Sequence, residues 1–265
     1  MVLYPLASRE PSSGEPVSCQ PSLTPARAVP AWEAVERKQK QAASEWWLVA
    51  QPDHATLAGD LAQRIDCPYF PALEPDILQA IALHDEGWIA FDNGEPRQEN
   101  GRPLSFLEMP PYVFLQAWTA SIERVQKATP AGGILVSEHF CRIGKAALSR
   151  GVAPQESQQI RQFLQSEWQR QDHLLRRQPY SAEEIATLVD VLQFCDLLSL
   201  YLCCGSHDFV EFPQRFKGQV IRIGCYDDLS RTEPQIFGSG ASLAVSARKF
   251  PEDRGAAVNI PILLD

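Results

Sequence analysis

The chain has 265 residues, 33 acidic against 24 basic, for a net charge of -9 and a pI near 5.1. That balance argues against a surface that tracks nucleic acid backbones or anionic membranes. Apolar residues make up 45% of the chain, enough for a sizeable core in one large domain or two small ones. No run of about 18 uncharged apolar residues is present, so no bilayer-spanning segment is expected. The seven cysteines (Cys19, Cys67, Cys141, Cys195, Cys203, Cys204 and Cys225) form no C-x-x-C pair. They read as reduced, mostly buried thiols of a cytoplasmic protein, with no spacing for a thiolate zinc site.

Residues 1–44 begin rich in Pro and Ser, without a periodic apolar pattern and without the basic start and apolar centre of a secretion signal. They are expected to form a mobile arm. A helical domain follows over 45–207. "EWWLVAQ" (45–51) reads as a short strand. "DHATLAGDLAQRI" (53–65) reads as a helix capped by Asp53, with His54, Leu57, Ala58, Leu61 and Ile65 on one face. "EPDILQAIALHDEGW" (74–88) predicts a second helix, with Ile77, Ile81, His84 and Trp88 sharing a face. Residues 92–111 carry too much Gly and Pro for helix. Further helices are expected over 112–128, over 133–151 with Gly133 at its start, over roughly 154–176, and over 181–205, where Ser181 and Glu184 make a capping box. From 208 to 265 the texture is short and β-rich, as in "QVIRIGC" and "SLAVSARKF". The fold class is therefore mainly α, a helical bundle with a small antiparallel β appendage at the C-terminus.

Three of the five histidines, His54, His84 and His139, fall on apolar helical faces. Any one alone reads as a core histidine bonded to a carbonyl. Asp196 changes the weighing. It follows Ile185, Leu188, Val189 and Leu192 at steps of three and four, in the middle of an apolar stripe. A buried carboxylate without a partner costs several kcal/mol at least, and no Lys or Arg occurs between 178 and 214. A divalent ion held by the buried histidines supplies the missing charge; a Tyr, Trp or backbone donor is the competing partner.

The order His54, then His84-Asp85, then Asp196 resembles the H…HD…D pattern of the HD superfamily of metal-dependent phosphohydrolases. That resemblance implies an HD-like helical bundle with those four side chains as metal ligands. "QPDHATLAGDLA", "HDEGWIAFDNGEP" and "GRPLSF" are also similar to the motifs of a bacterial family of uncharacterised HD-like proteins, over about residues 45–265. Glu86-Gly87-Trp88 departs from the usual HD continuation.

Two imidazoles and two carboxylates suit Mn, Fe, Ni, Mg or Zn. Such an ion polarises a phosphoryl oxygen and lowers the pKa of water. The expected function is hydrolysis of a small phosphorylated metabolite or nucleotide through a metal-activated water, and the resemblance gives Asp85 the proton-accepting role. By position, His139 and Glu86 join Asp85 as catalytic candidates, while Gln51, Trp88, Asp92 and Arg142 are candidate substrate contacts. The competing functions are a non-enzymatic sensor or binding module that keeps a structural ion, and a di-iron oxygenase-like enzyme, which needs more histidines than the sequence offers. Neither nucleic acid nor a membrane is an expected partner, and the sequence does not fix the oligomeric state.

Overall fold

The computed structural model describes residues 1–6, 27–92, 101–176, 179–224, 232–237, 242–251 and 258–263. Two short strands, β1 (Val2–Leu6) and β2 (Val29–Pro30), precede helix α1 (Ala31–Lys40), strand β3 (Glu45–Val49) and helix α2 (Gln51–Arg64). Next come α3 (Pro75–Leu83), a single 3-10 turn over Glu86–Trp88, and the short α4 (Ile89–Asp92). The long helices are α5 (Pro111–Ala128), α6 (Pro130–Arg150), α7 (Pro154–Leu175) and α8 (Ala182–Cys203). Strands β4 (Val210–Phe216), β5 (Gln219–Ile223), β6 (Thr232–Glu233), β7 (Ser242–Phe250) and β8 (Val258–Leu263) follow.

The fold is mainly helical and α8 is its centre. Its entry is fixed by the expected capping box, in which Ser181 Oγ accepts from Glu184 N and Glu184 accepts from Ser181 N. From Leu197 to Cys203 every residue is buried. Such an apolar helix also matches a membrane span by length and composition, but here it is mostly buried inside the protein. Helices α1, α2, α3 and α6 pack around it, and α5 and α7 cover α6 from outside. The close approach of α2 to α3 depends on Gly59, where a Cβ would lie 2.5 Å from the Ala82 Cβ.

Two four-stranded sheets lie against this body. One has the order β1-β3-β7-β8 and is antiparallel throughout, with Val2 opposite Val49 and Trp46 opposite Phe250. The other has the order β2-β4-β5-β6, antiparallel except for the β2–β4 pair. The β4–β5 hairpin turns on Lys217 and Gly218, both at positive φ, the backbone that matches the strands' twist in a two-residue turn. The C-terminal strands expected from the sequence are present and pair antiparallel with one another, divided between the two sheets.

Four expectations need correction. Residues 2–6 and 29–40, assigned to a mobile arm, form β1, β2 and α1: Val2 and Leu3 are fully buried beside β3, and the buried Gln39 side chain exchanges hydrogen bonds with both main-chain groups of Leu3. The part of that arm over 7–26 lies outside the described residues, as do residues 93–100 of the expected loop. Asp53 does not cap α2, which starts two residues earlier with Ala50 as its cap and Pro52 in its first turn. Thr129, not Gly133, begins α6, its hydroxyl accepting from Gly132 N.

The fourth correction concerns the helix expected over 74–88. It ends at Leu83, and Asp85 leaves the helical region at φ -112 and ψ 16. The cause lies across the interface: Gly87 sits hard against α5, where its N–H donates to Ser121 Oγ at 2.9 Å. A Cβ at this glycine would collide with the Ala117 carbonyl oxygen and with Ser121. Trp88 is thereby turned away from Ile81 and His84 into a separate cluster with Met109, Val113 and Ala117. Substituting Gly87→Ala should lower stability by about 1–3 kcal/mol through overpacking, read as an earlier urea midpoint. An unchanged midpoint would show that the α5 contact does not hold this turn.

Candidate metal centre

Four helical segments each deliver polar side chains to one point in the core. His54 comes from the first turn of α2, His84 from the residue that caps α3, Asp85 from the turn behind it, His139 from the middle of α6 and Asp196 from the middle of α8. The three imidazoles are 1–2% exposed; the carboxylates of Asp85 and Asp196 are 10% and 15% exposed. The cluster is thus closed behind its histidines and opens slightly at its acids.

Hydrogen bonds from outside the cluster set the orientation of two rings. His84 Nδ1 lies 2.7 Å from the Ile81 carbonyl oxygen, which can only accept, so Nδ1 carries a proton and Nε2 points inward. His54 Nδ1 lies 2.9 Å from Ser199 Oγ. The Ser199 hydroxyl already donates to the Asp196 carbonyl at 2.8 Å, so its oxygen accepts and His54 Nδ1 is the donor. His54 Nε2 then faces Asp85 Oδ2 at 2.9 Å. The inner His84 Nε2 is buried without a hydrogen-bond partner among the described residues, 3.4 Å from Asp196 Oδ1 and 3.9 Å from Asp85 Oδ2. His139 Nε2 lies 3.8 Å from Asp196 Oδ2. Imidazole nitrogens and carboxylate oxygens thus face one another at distances at which only a proton or a metal cation between them is stabilising.

The titration behaviour follows from this crowding. Burial pulls the His84 pKa down, but the Asp85 charge and the adjacent Asp196 carboxylate outweigh it and raise it to about 9. Burial pushes Asp196 up, and the neighbouring imidazoles, His84 foremost, bring it down to about 2. His139 is lowered to about 4, chiefly by burial, against the pull of Asp196. Two groupings, His54–His84–Asp85 and His84–His139–Asp196, each bring their ligand atoms within 4.8 Å of one another and could hold a metal ion.

This arrangement lies inside the span, residues 38–252, that matches a family described as "Protein of unknown function (DUF3891)". The chain belongs to the DUF3891 family. No curated protein and no solved structure matched it. The DUF3891 match covers α2 through β7, and with them all five clustered side chains.

The other residues singled out from the sequence are placed differently. Asp92 is taken up locally: Oδ2 accepts from Gln51 N at 2.6 Å, at the start of α2, and Oδ1 lies 3.3 Å from the Met1 amino group. Gln51 is buried, and its Nε2 has no hydrogen-bond partner among the described residues. Glu86 is paired with Arg124 at 2.6 Å, away from the cluster. Arg142 is bound to Glu138, Asp190, Gln193 and the Ala186 carbonyl, so its guanidinium is already occupied. His173 and His207 are exposed. Sequence reasoning missed Ser199, although its place three residues after Asp196 on α8 was a usable signal.

Two outcomes follow. Ser199→Ala removes the group that fixes the His54 tautomer, and should weaken binding of Zn²⁺ or Mn²⁺ by about 10- to 100-fold with little change in fold, measured by chelator competition. In chelator-treated protein, His84 contributes stability that is fully present below pH 6.5 and is lost as pH rises through about 9. The depressed His139 has the opposite effect, costing stability as pH falls from 6.5 through about 4. Urea midpoints should therefore peak near neutrality, and saturating metal should abolish the alkaline decline by replacing the proton on His84. A flat profile from pH 6 to 10 without metal would contradict the assignment.

Proposed function

We propose that this DUF3891 protein is a metal-dependent phosphohydrolase of HD type, acting on a small phosphorylated metabolite or nucleotide. The observation that carries the reading is the convergence of His54, His84, Asp85 and Asp196, in the chain order that resembles H…HD…D. The donor set fits a divalent ion, since the buried inner nitrogen of His84 has no hydrogen-bond partner among the described residues and two carboxylates stand beside it.

When bound, the ion supplies Lewis-acid polarisation of a phosphoryl oxygen and lowers the pKa of water. His54 and His84 hold fixed orientations through Ser199 and the Ile81 carbonyl, which keeps their inner nitrogens aimed at the centre. Asp85 and Asp196 form the side that meets solvent. Asp85, in the turn after α3, is the base that takes a proton from the attacking water. Arg142 is bound to its own neighbours, so the substrate's negative charge would be balanced at the centre that His54, His84, Asp85 and Asp196 would form around an ion.

A second reading, a sensor that keeps a structural ion, is favoured by the depth of the three imidazoles. A cavity of about 1160 Å³ lies elsewhere, lined by residues of 27–33 and 209–213. Phosphate release decides between the two. Wild-type protein purified without chelator should hydrolyse members of a panel of p-nitrophenyl phosphate, sugar phosphates and nucleotides with Mn²⁺, Ni²⁺, Co²⁺ or Mg²⁺. Asp85→Asn should lose at least about 100-fold in rate, and Asp196→Ala should lose bound metal. Inactivity of metal-loaded wild type across the panel overturns the phosphohydrolase in favour of the sensor. Equal metal in wild type and Asp196→Ala removes Asp196 from the ligand set.

A further inference from the structure

Resting on the metal-centre reading, we infer that His139 is a fifth ligand, and that the two groupings of donors serve one and the same ion. The centre thereby holds a single first-row transition ion in preference to Mg²⁺.

The argument for one ion turns on His84. Both groupings contain it. Its Nδ1 is engaged by the Ile81 carbonyl, so only Nε2 is left to face the cluster. An sp² nitrogen has one lone pair in the ring plane and ligates one ion. His54–His84–Asp85 and His84–His139–Asp196 are therefore two halves of one site. Within each grouping the separations suit ligation. Bonds of about 2.0–2.2 Å place neighbouring and opposite ligand atoms roughly 3–4 Å apart around one ion. The inward atoms here stand 2.9 Å apart for His54 Nε2 and Asp85 Oδ2, 3.4 Å for His84 Nε2 and Asp196 Oδ1, 3.8 Å for His139 Nε2 and Asp196 Oδ2, and 3.9 Å for His84 Nε2 and Asp85 Oδ2.

The argument for His139 as a ligand turns on where α6 places its ring. It is 1% exposed, packed beside Phe140 and 5.4 Å from the His84 ring. Its Nδ1 is buried with no hydrogen-bond partner among the described residues. Burying a polar ring so poorly served is unfavourable. The inner nitrogen is where a ligand is wanted: α6 delivers Nε2 to 3.8 Å from Asp196 Oδ2, a carboxylate the first grouping does not include, in a grouping with His84 that could hold an ion. The donor set then comprises three imidazole nitrogens and two carboxylates. Imidazole suits Zn, Fe, Ni and similar ions, whereas Mg²⁺ takes oxygen ligands.

The test compares wild type, His139→Phe, His139→Gln and the exposed control His173→Ala. The Phe variant keeps an aromatic ring in the cavity and removes the unpaired nitrogen, so its chelator-treated form should remain folded, as read by thermal denaturation. The Gln variant provides a polar alternative. Elemental analysis after dialysis against Zn²⁺ or Co²⁺ should give one ion per wild-type chain. Competition with a chromophoric chelator should show Zn²⁺ and Co²⁺ affinity reduced at least about tenfold in both His139 variants, with Mg²⁺ affinity little altered and His173→Ala like wild type. The visible spectrum of the Co²⁺ form should change in the variants as the coordination number falls. Unchanged Zn²⁺ and Co²⁺ affinity in both His139 variants overturns the fifth ligand; two ions per wild-type chain overturn the single centre. Failure of wild type to bind any of these ions overturns the metal reading itself, a separate outcome.

Discussion

Two carboxylates placed among three imidazoles inside an apolar core set the terms for everything around them. Asp196 lies on a long, mostly buried apolar helix, and Asp85 follows a helix in which six of nine residues are Ile, Leu or Ala. Charges in such surroundings are tolerated only when matched. The raised pKa of His84 and the lowered pKa of Asp196 express one demand, that positive charge be held at this point. A proton meets the demand weakly; an ion bonded to several donors meets it fully.

The fold serves that demand by bringing distant positions together at close quarters. Gly59 lets α2 lie against α3, and Gly87 forces the chain to turn where His84 and Asp85 must diverge. Ser199 joins His54 to the main chain of Asp196, so that a residue of α2 and one of α8 are oriented by the same hydroxyl. The centre is therefore held by contacts between helices more than by any one helix.

Much of this was legible in the sequence, for definable reasons. Helical periodicity put His54, His84, His139 and Asp196 on apolar faces, and the capping box marked the start of α8, because both signals are local. The end of α3 was not legible, because it is imposed by Ala117 and Ser121 on another helix. β1 escaped notice because five residues beside a Pro-rich stretch carry little pattern of their own; pairing with β3 makes them a strand. Arg142 could not be judged from its position one turn beyond His139, since its partners Asp190 and Gln193 belong to α8. His139 was visible as a candidate, but its approach to Asp196 was not, since that carboxylate is brought to it by α8.

The scatter of these donors along the chain also has a temporal meaning. α2 and α3 leave the ribosome long before α8, and until α8 docks, the imidazoles of His54 and His84 have no Asp196 and no Ser199 to complete their surroundings. Contacts of such sequence separation form late, after the intervening loop entropy has been overcome. The cluster is therefore complete only once the last helix has docked.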